Sequence, residues 1–199
     1  MITSFTVTNV NNASCFNGSD GSIEVTLVGG QAPFTYSLVV ETGFGDIPIE
    51  TVSNTSLQTV TFSNLFSGDV VGGTYKVAVV TSNGGTPTLV CTRRQISGIN
   101  LTQPTDISFS TSSIAPSCNG NDGAILVSAS GGTPGYSFSW SGPTAIGNTA
   151  NPTGLAPGTY DVTVTDGNGC QKSIAGIVVP SGPTVDAGPA QDICTGSTV

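Results

Sequence analysis

The chain has 199 residues, a formal net charge of −8 and only 8% charged residues. Its four bases form no basic stripe for a phosphate backbone or an anionic lipid surface, and no apolar run approaches a membrane span, which argues against nucleic-acid and membrane-inserted roles. Gly and Pro are abundant, yet 37% of residues are apolar and sit in alternating runs, the pattern of an all-β protein with a core of its own rather than of a disordered chain.

In chain order, Thr3–Val10 alternates Phe5 and Val7 with polar residues and predicts a first strand. Asn17-Gly18-Ser19-Asp20-Gly21 predicts a turn in which Asn and Gly supply positive φ. Ser22–Val28 then predicts a strand with Ile23, Val25 and Leu27 on one face, ended by Gly29-Gly30. Pro33–Leu38 predicts an inward-facing strand that carries Phe34 and Tyr36. Within an insert over 39–72, the runs 47–52 and 57–62 flank Ser53-Asn54 and predict an added hairpin. Gly73-Thr74-Tyr75 opens a long strand whose Tyr hydroxyl is expected to bond a neighbouring backbone group, and a last strand follows Cys91.

From position 107 the pattern begins again. Gly18, Asp20, Gly21, Ile23, Val25, Gly29, Gly30, Phe34 and Tyr36 recur at one constant offset as Gly120, Asp122, Gly123, Ile125, Val127, Gly131, Gly132, Tyr136 and Phe138. Gly158-Thr159-Tyr160 echoes Gly73-Thr74-Tyr75, and Pro180 echoes Pro104. The expected architecture is all-β, two tandem immunoglobulin-like antiparallel β-sandwich domains over 1–104 and 105–180, each with one intradomain disulfide. Residues 181–199 are read as a linker and the first strand of a further domain. The opening Met1–Phe5 has neither the charged n-region nor the apolar h-region of a signal peptide, and Met1 is read as an added start or as the boundary of a mature domain.

Four of the five cysteines fall near the start and near the end of the two repeats. With no His and no CxxC, the zinc patterns are absent, so Cys15–Cys91 and Cys118–Cys170 are the expected disulfides, with Cys194 left unpaired in this segment. Loops of roughly 76 and 52 residues would each contribute about 4 kcal/mol by chain entropy, and such staples place the chain in an oxidising, extracellular compartment.

Without His, neither a Ser-His-Asp nor a Cys-His arrangement can be assembled, and no carboxylate pair stands out, so the chain is read as non-enzymatic. Asp20, Asp122 and Asp166, with neighbouring Asn17, Asn119, Asn121 and Asn168, offer hard oxygen ligands that suit calcium, although turn geometry accounts for the same residues without a cofactor. Trp140, the only tryptophan, is expected in the core against a disulfide or the opposite sheet. A surface Trp140, Tyr136 or Tyr36 would instead offer a platform for stacking a sugar.

The residues named above, namely Cys followed by NGxDGxI, the double glycine with a nearby Pro, the Tyr/Phe/Trp alternation, GTYxVxV, DGNGC and a closing Pro, resemble the SprB repeat of Bacteroidetes surface proteins. The second repeat is the closer of the two. The first departs by its insert, by a Ser82–Pro87 turn without DGNG and by Leu38 in place of Trp. Val185–Pro189 with Cys194 is similar to the start of a PKD-like or immunoglobulin-like domain. The resemblance implies a type IX secreted, gliding-motility adhesin at the cell surface, in which such repeats act as stalk or spacer and present an adhesive surface. Its partners would be neighbouring domains of the same chain, surface polysaccharide or other copies of itself. Two other readings are a carbohydrate-binding accessory module of a secreted enzyme and a self-assembling surface filament subunit.

Overall fold

The computed structural model describes residues 2–42, 44–66, 74–81, 93–117 and 120–183. Among them there is no helix, and every strand pairing is antiparallel. The chain divides into two units. Unit 1 comprises Met1–Ile107 with Gly131–Pro134 and Gly167–Cys170, and unit 2 comprises Ser108–Ser130, Gly135–Asp166 and Gln171–Val199.

Unit 1 holds β1 (Ile2–Asn11), β2 (Gly21–Gly29), β3 (Phe34–Thr42), β4 (Gly45–Thr55), β5 (Thr59–Leu65), β6 (Thr74–Thr81) and β7 (Arg93–Ile99). They form two sheets, β1-β2-β5 and β4-β3-β6-β7. The period-2 pattern aims Ile23, Val25, Leu27, Val60 and Phe62 from one sheet at Phe34, Tyr36, Leu38, Val40, Val77 and Val79 from the other, and these side chains make a single core. Phe5 of β1 reaches across to Tyr36, with ring centroids 6.3 Å apart.

Unit 2 holds β8 (Ser108–Ile114), β9 (Gly123–Ser130), β10 (Ser137–Ser141), β11 (Thr153–Leu155), β12 (Gly158–Thr165) and β13 (Gln171–Val179), in the sheets β11-β9-β8 and β10-β12-β13. Ile125, Val127, Leu155, Tyr160, Val162, Val164, Ile177 and Val179 are buried hydrophobic residues among its described part.

The expected hairpin in the insert does not form. β4 pairs with β3, whereas β5 pairs with β2 in the other sheet. The reason is visible in the side chains: β5 buries Val60, Phe62 and Leu65, while Ile47 and Ile49 of β4 remain 48% and 46% exposed. β5 is therefore the counterpart of β11, since Gly21 faces Leu65 and Gly123 faces Leu155 in the same register. The residues that set the first repeat apart are spent mainly on β4, which widens one sheet by a strand.

The expected intradomain disulfides are also corrected. Cys15 pairs with Cys170, 155 positions away, in place of Cys15–Cys91 and Cys118–Cys170; Cys91, Cys118 and Cys194 lie outside the described residues. The strict register explains why pairing by repeat position fails. The offset that aligns Gly18 with Gly120 aligns Cys15 with Ser117 and Cys118 with Phe16, so the two cysteines are not equivalent. Around Cys170, Gly167 N–H donates to Thr133 O at 2.9 Å and Asn168 Nδ2 donates to Ser14 O at 3.0 Å, which holds the 167–170 turn within unit 1.

Candidate functional site

Three local devices recur in the two repeats. The first is an aspartate-held turn. Gly18 N–H donates to Cys15 O and Gly120 N–H to Ser117 O, each at 3.0 Å. The carboxylate two residues on then fixes the incoming chain: Asp20 accepts the Ser14 N–H at 3.1 Å, and Asp122 accepts the Ser117 N–H at 2.7 Å. The Ser14 hydroxyl, then its N–H, hold Asp20 below its ordinary pKa; for Asp122 the Ser117 N–H acts first and the hydroxyl second. Asn17 takes φ 55°, the left-handed geometry expected of this turn.

The second device is a tyrosine lock. Tyr75 is buried on β6 and its hydroxyl donates to Phe66 O at 2.9 Å. Tyr160 is buried on β12 and donates to Ala156 O at 2.9 Å, with Thr144 Oγ1 3.0 Å away. The expected backbone bond to this hydroxyl is present in both repeats. Burial pushes the Tyr75 hydroxyl pKa up.

The third is a bulge in the last strand. Tyr75 faces Ile99 while Val77 faces Ile96, and Tyr160 faces Ile177 while Val162 faces Ile174, so each last strand carries one extra residue. Gly98 and Gly176 take φ 72° and 81° there. Each spare glycine N–H finds a carboxylate, Glu41 at 3.3 Å and Asp161 at 2.9 Å. Sequence reading missed this device, although the Gly followed by Ile before the closing segment of both repeats was its signal.

Two stretches of the chain match the SprB repeat. The matched residues are 7–39 and 113–145, which take in the end of β1, the aspartate-held turn, β2 and most of β3, and then the corresponding β8–β10 region. The chain thus carries two SprB-type repeat regions, which supports a repeat segment of the kind associated with cell-surface proteins. The tyrosine lock and the bulge lie beyond the matched residues, so the structural repetition runs further than the SprB match itself. No curated protein matches the chain.

The remaining candidates occupy ordinary structural roles in these repeats. Trp140 sits on β10 in register with buried Val162, but it is only half-buried, and its Nε1–H donates to Thr149 O at 2.9 Å. It ties down the loop after β10 instead of filling the core against a disulfide. Unit 2 has only the three-residue β11 where unit 1 has β5, so the inner face of β10 is less covered than that of β3. Tyr136 is half-buried just before β10, and Tyr36 is fully buried with its hydroxyl on Leu57 O at 2.8 Å. Asp166 is buried at the end of β12.

Among the described residues no three acidic, Cys or His side chains gather as a metal site would require, and Asp20, Asp122 and Asp166 form no such group. A shallow groove of about 390 Å³ lies along β8 and β9, lined by Ser110, Ser112, Leu126, Ser128 and Asn151. It contains no charged side chain. Among the described residues no helix is long and apolar enough to cross a membrane.

Proposed function

We propose that this chain is a non-enzymatic extracellular segment of a large cell-surface adhesin, in which SprB-type repeats act as stalk and spacer for attachment or gliding. The observation that carries this reading is the repetition itself. Turn, tyrosine lock and bulge recur in both repeats, and all three spend their polar groups on backbone rather than leaving them for a ligand. An immunoglobulin-like sandwich for each repeat, export by type IX secretion and a PKD-like domain beginning in 181–199 belong to the same proposal. A repeat built this way sets reach without needing a substrate.

Trp140 provides the test, being the only tryptophan and only half-buried in its repeat. Titration with neutral and acidic polysaccharides should leave its fluorescence unchanged, and single-molecule extension should give discrete unfolding events in place of gradual yielding. Saturable binding that shifts Trp140 emission would overturn the spacer reading in favour of a carbohydrate-binding module, as the half-exposed Trp140 and Tyr136 would then serve as the platform.

A further inference from the structure

The long edge strand β4 is the least protected feature of unit 1. All eleven residues of Gly45–Thr55 lie at the border of the sheet, and among the described residues no strand pairs with its outer edge. Ile47 and Ile49 are about half exposed, Phe44 at the hairpin tip is fully exposed, and the strand carries neither Lys nor Arg to discourage a partner. Pro48 withdraws one backbone donor and leaves those of its neighbours.

The opposite border of the same sheet supplies the complement. Pairing is antiparallel from β4 to β3, from β3 to β6 and from β6 to β7, so β4 and β7 run in opposite directions. A second copy displaced along the sheet without rotation therefore brings its β7 antiparallel to β4 of the first. Charge selects the same arrangement. β4 carries Asp46 and Glu50, while β7 carries Arg94 and no acid. Asp46 is already engaged with Lys76, but the ion pairs among the described residues include neither Glu50 nor Arg94. Glu50 is in register with Leu38 and Arg94 with Val79, both core residues, and Leu38 faces Val77, two residues from Val79, so the two exposed charges lie on the same face of a continued sheet and meet diagonally, within reach of long side chains. Pairing β4 with β4 of a second copy would instead bring acids together.

We infer that β4 is a docking edge for β7 of a second copy of this chain, with Glu50 diagonally across from Arg94. The contact is heterologous and does not close on itself, so copies would add side by side into an open array. It goes beyond the spacer reading and does not depend on it.

Sedimentation velocity of the intact chain over a concentration series tests the contact. The expected result is a graded rise in mass beyond the dimer, weakened by salt. Glu50→Arg and Arg94→Glu should each weaken association about tenfold, and the double variant should regain it. Circular dichroism of each variant separates loss of contact from loss of fold. A chain that stays monomeric at every concentration overturns the proposal. So does a single closed dimer, or association that either charge reversal leaves unchanged.

Discussion

At the scale of single residues, Asp20 and Asp122 carry the pH response. Each has its pKa held below the ordinary value of 3.8 by hydrogen bonds that exist only in the folded chain. A depressed carboxyl pKa contributes stability that is present above the unfolded value and is lost as pH falls through the folded one. Asp20→Asn and Asp122→Asn should therefore lower the denaturation midpoint at neutral pH, and the gap to the unaltered chain should close as pH falls below 3.8 and through the lowered folded-state pKa. A gap that stays constant with pH would show that shape, not charge, matters at these turns. Tyr160→Phe removes the donor to Ala156 O while keeping the ring, and a loss of about 1 kcal/mol is expected in chemical denaturation. The tyrosine and aspartate positions were legible in the sequence because each acts on backbone within its own repeat. Trp140 was not, because its burial depends on how much of the opposite sheet lies over β10.

At the scale of elements, the bulge and the strand starts separate two reasons for a glycine. At Gly176 an added Cβ would meet nothing within 4 Å, but φ is 81°, so Gly176→Ala should cost about 1–2 kcal/mol through the backbone alone. At Gly123 the Cβ would fall 2.8 Å from Leu155 O and 2.9 Å from Val179 Cγ1, so Gly123→Ala must push strands apart. Thermal melts should rank Gly123→Ala as the more damaging, and the reverse order would refute the crowding argument. Strand positions were readable from apolar alternation, with β2 starting within a residue of expectation. The partners of β4 and β5 were not, because a Ser-Asn turn between two strand-like runs reads the same whether the runs pair with each other or with different sheets.

At the scale of the whole molecule, the covalent link between Cys15 and Cys170 is the main departure from a reading by repeats. Closing a loop of 155 residues confines the unfolded chain by about 5 kcal/mol in the chain-entropy account. Cys15→Ser and Cys170→Ser should be destabilising to the same degree, up to that amount, and a non-reducing peptide map should join the peptide that holds Cys15 to the one that holds Cys170. A map joining Cys15 to Cys91 would refute this connectivity.

By itself, the sequence determined the all-β class, the repetition, the turns, the tyrosine hydroxyl bonds and the lack of a histidine-based catalytic site. These follow from side-chain periodicity and from bonds to backbone a few residues away, which a one-dimensional pattern records. Which sheet takes β4 and β5, how deeply Trp140 sits and which sulfur meets Cys15 were decided only by the tertiary structure. Each depends on segments far apart in the chain arriving at one place, and the one-residue slip between Cys15 and Cys118 shows that equal repeats need not place equal atoms together.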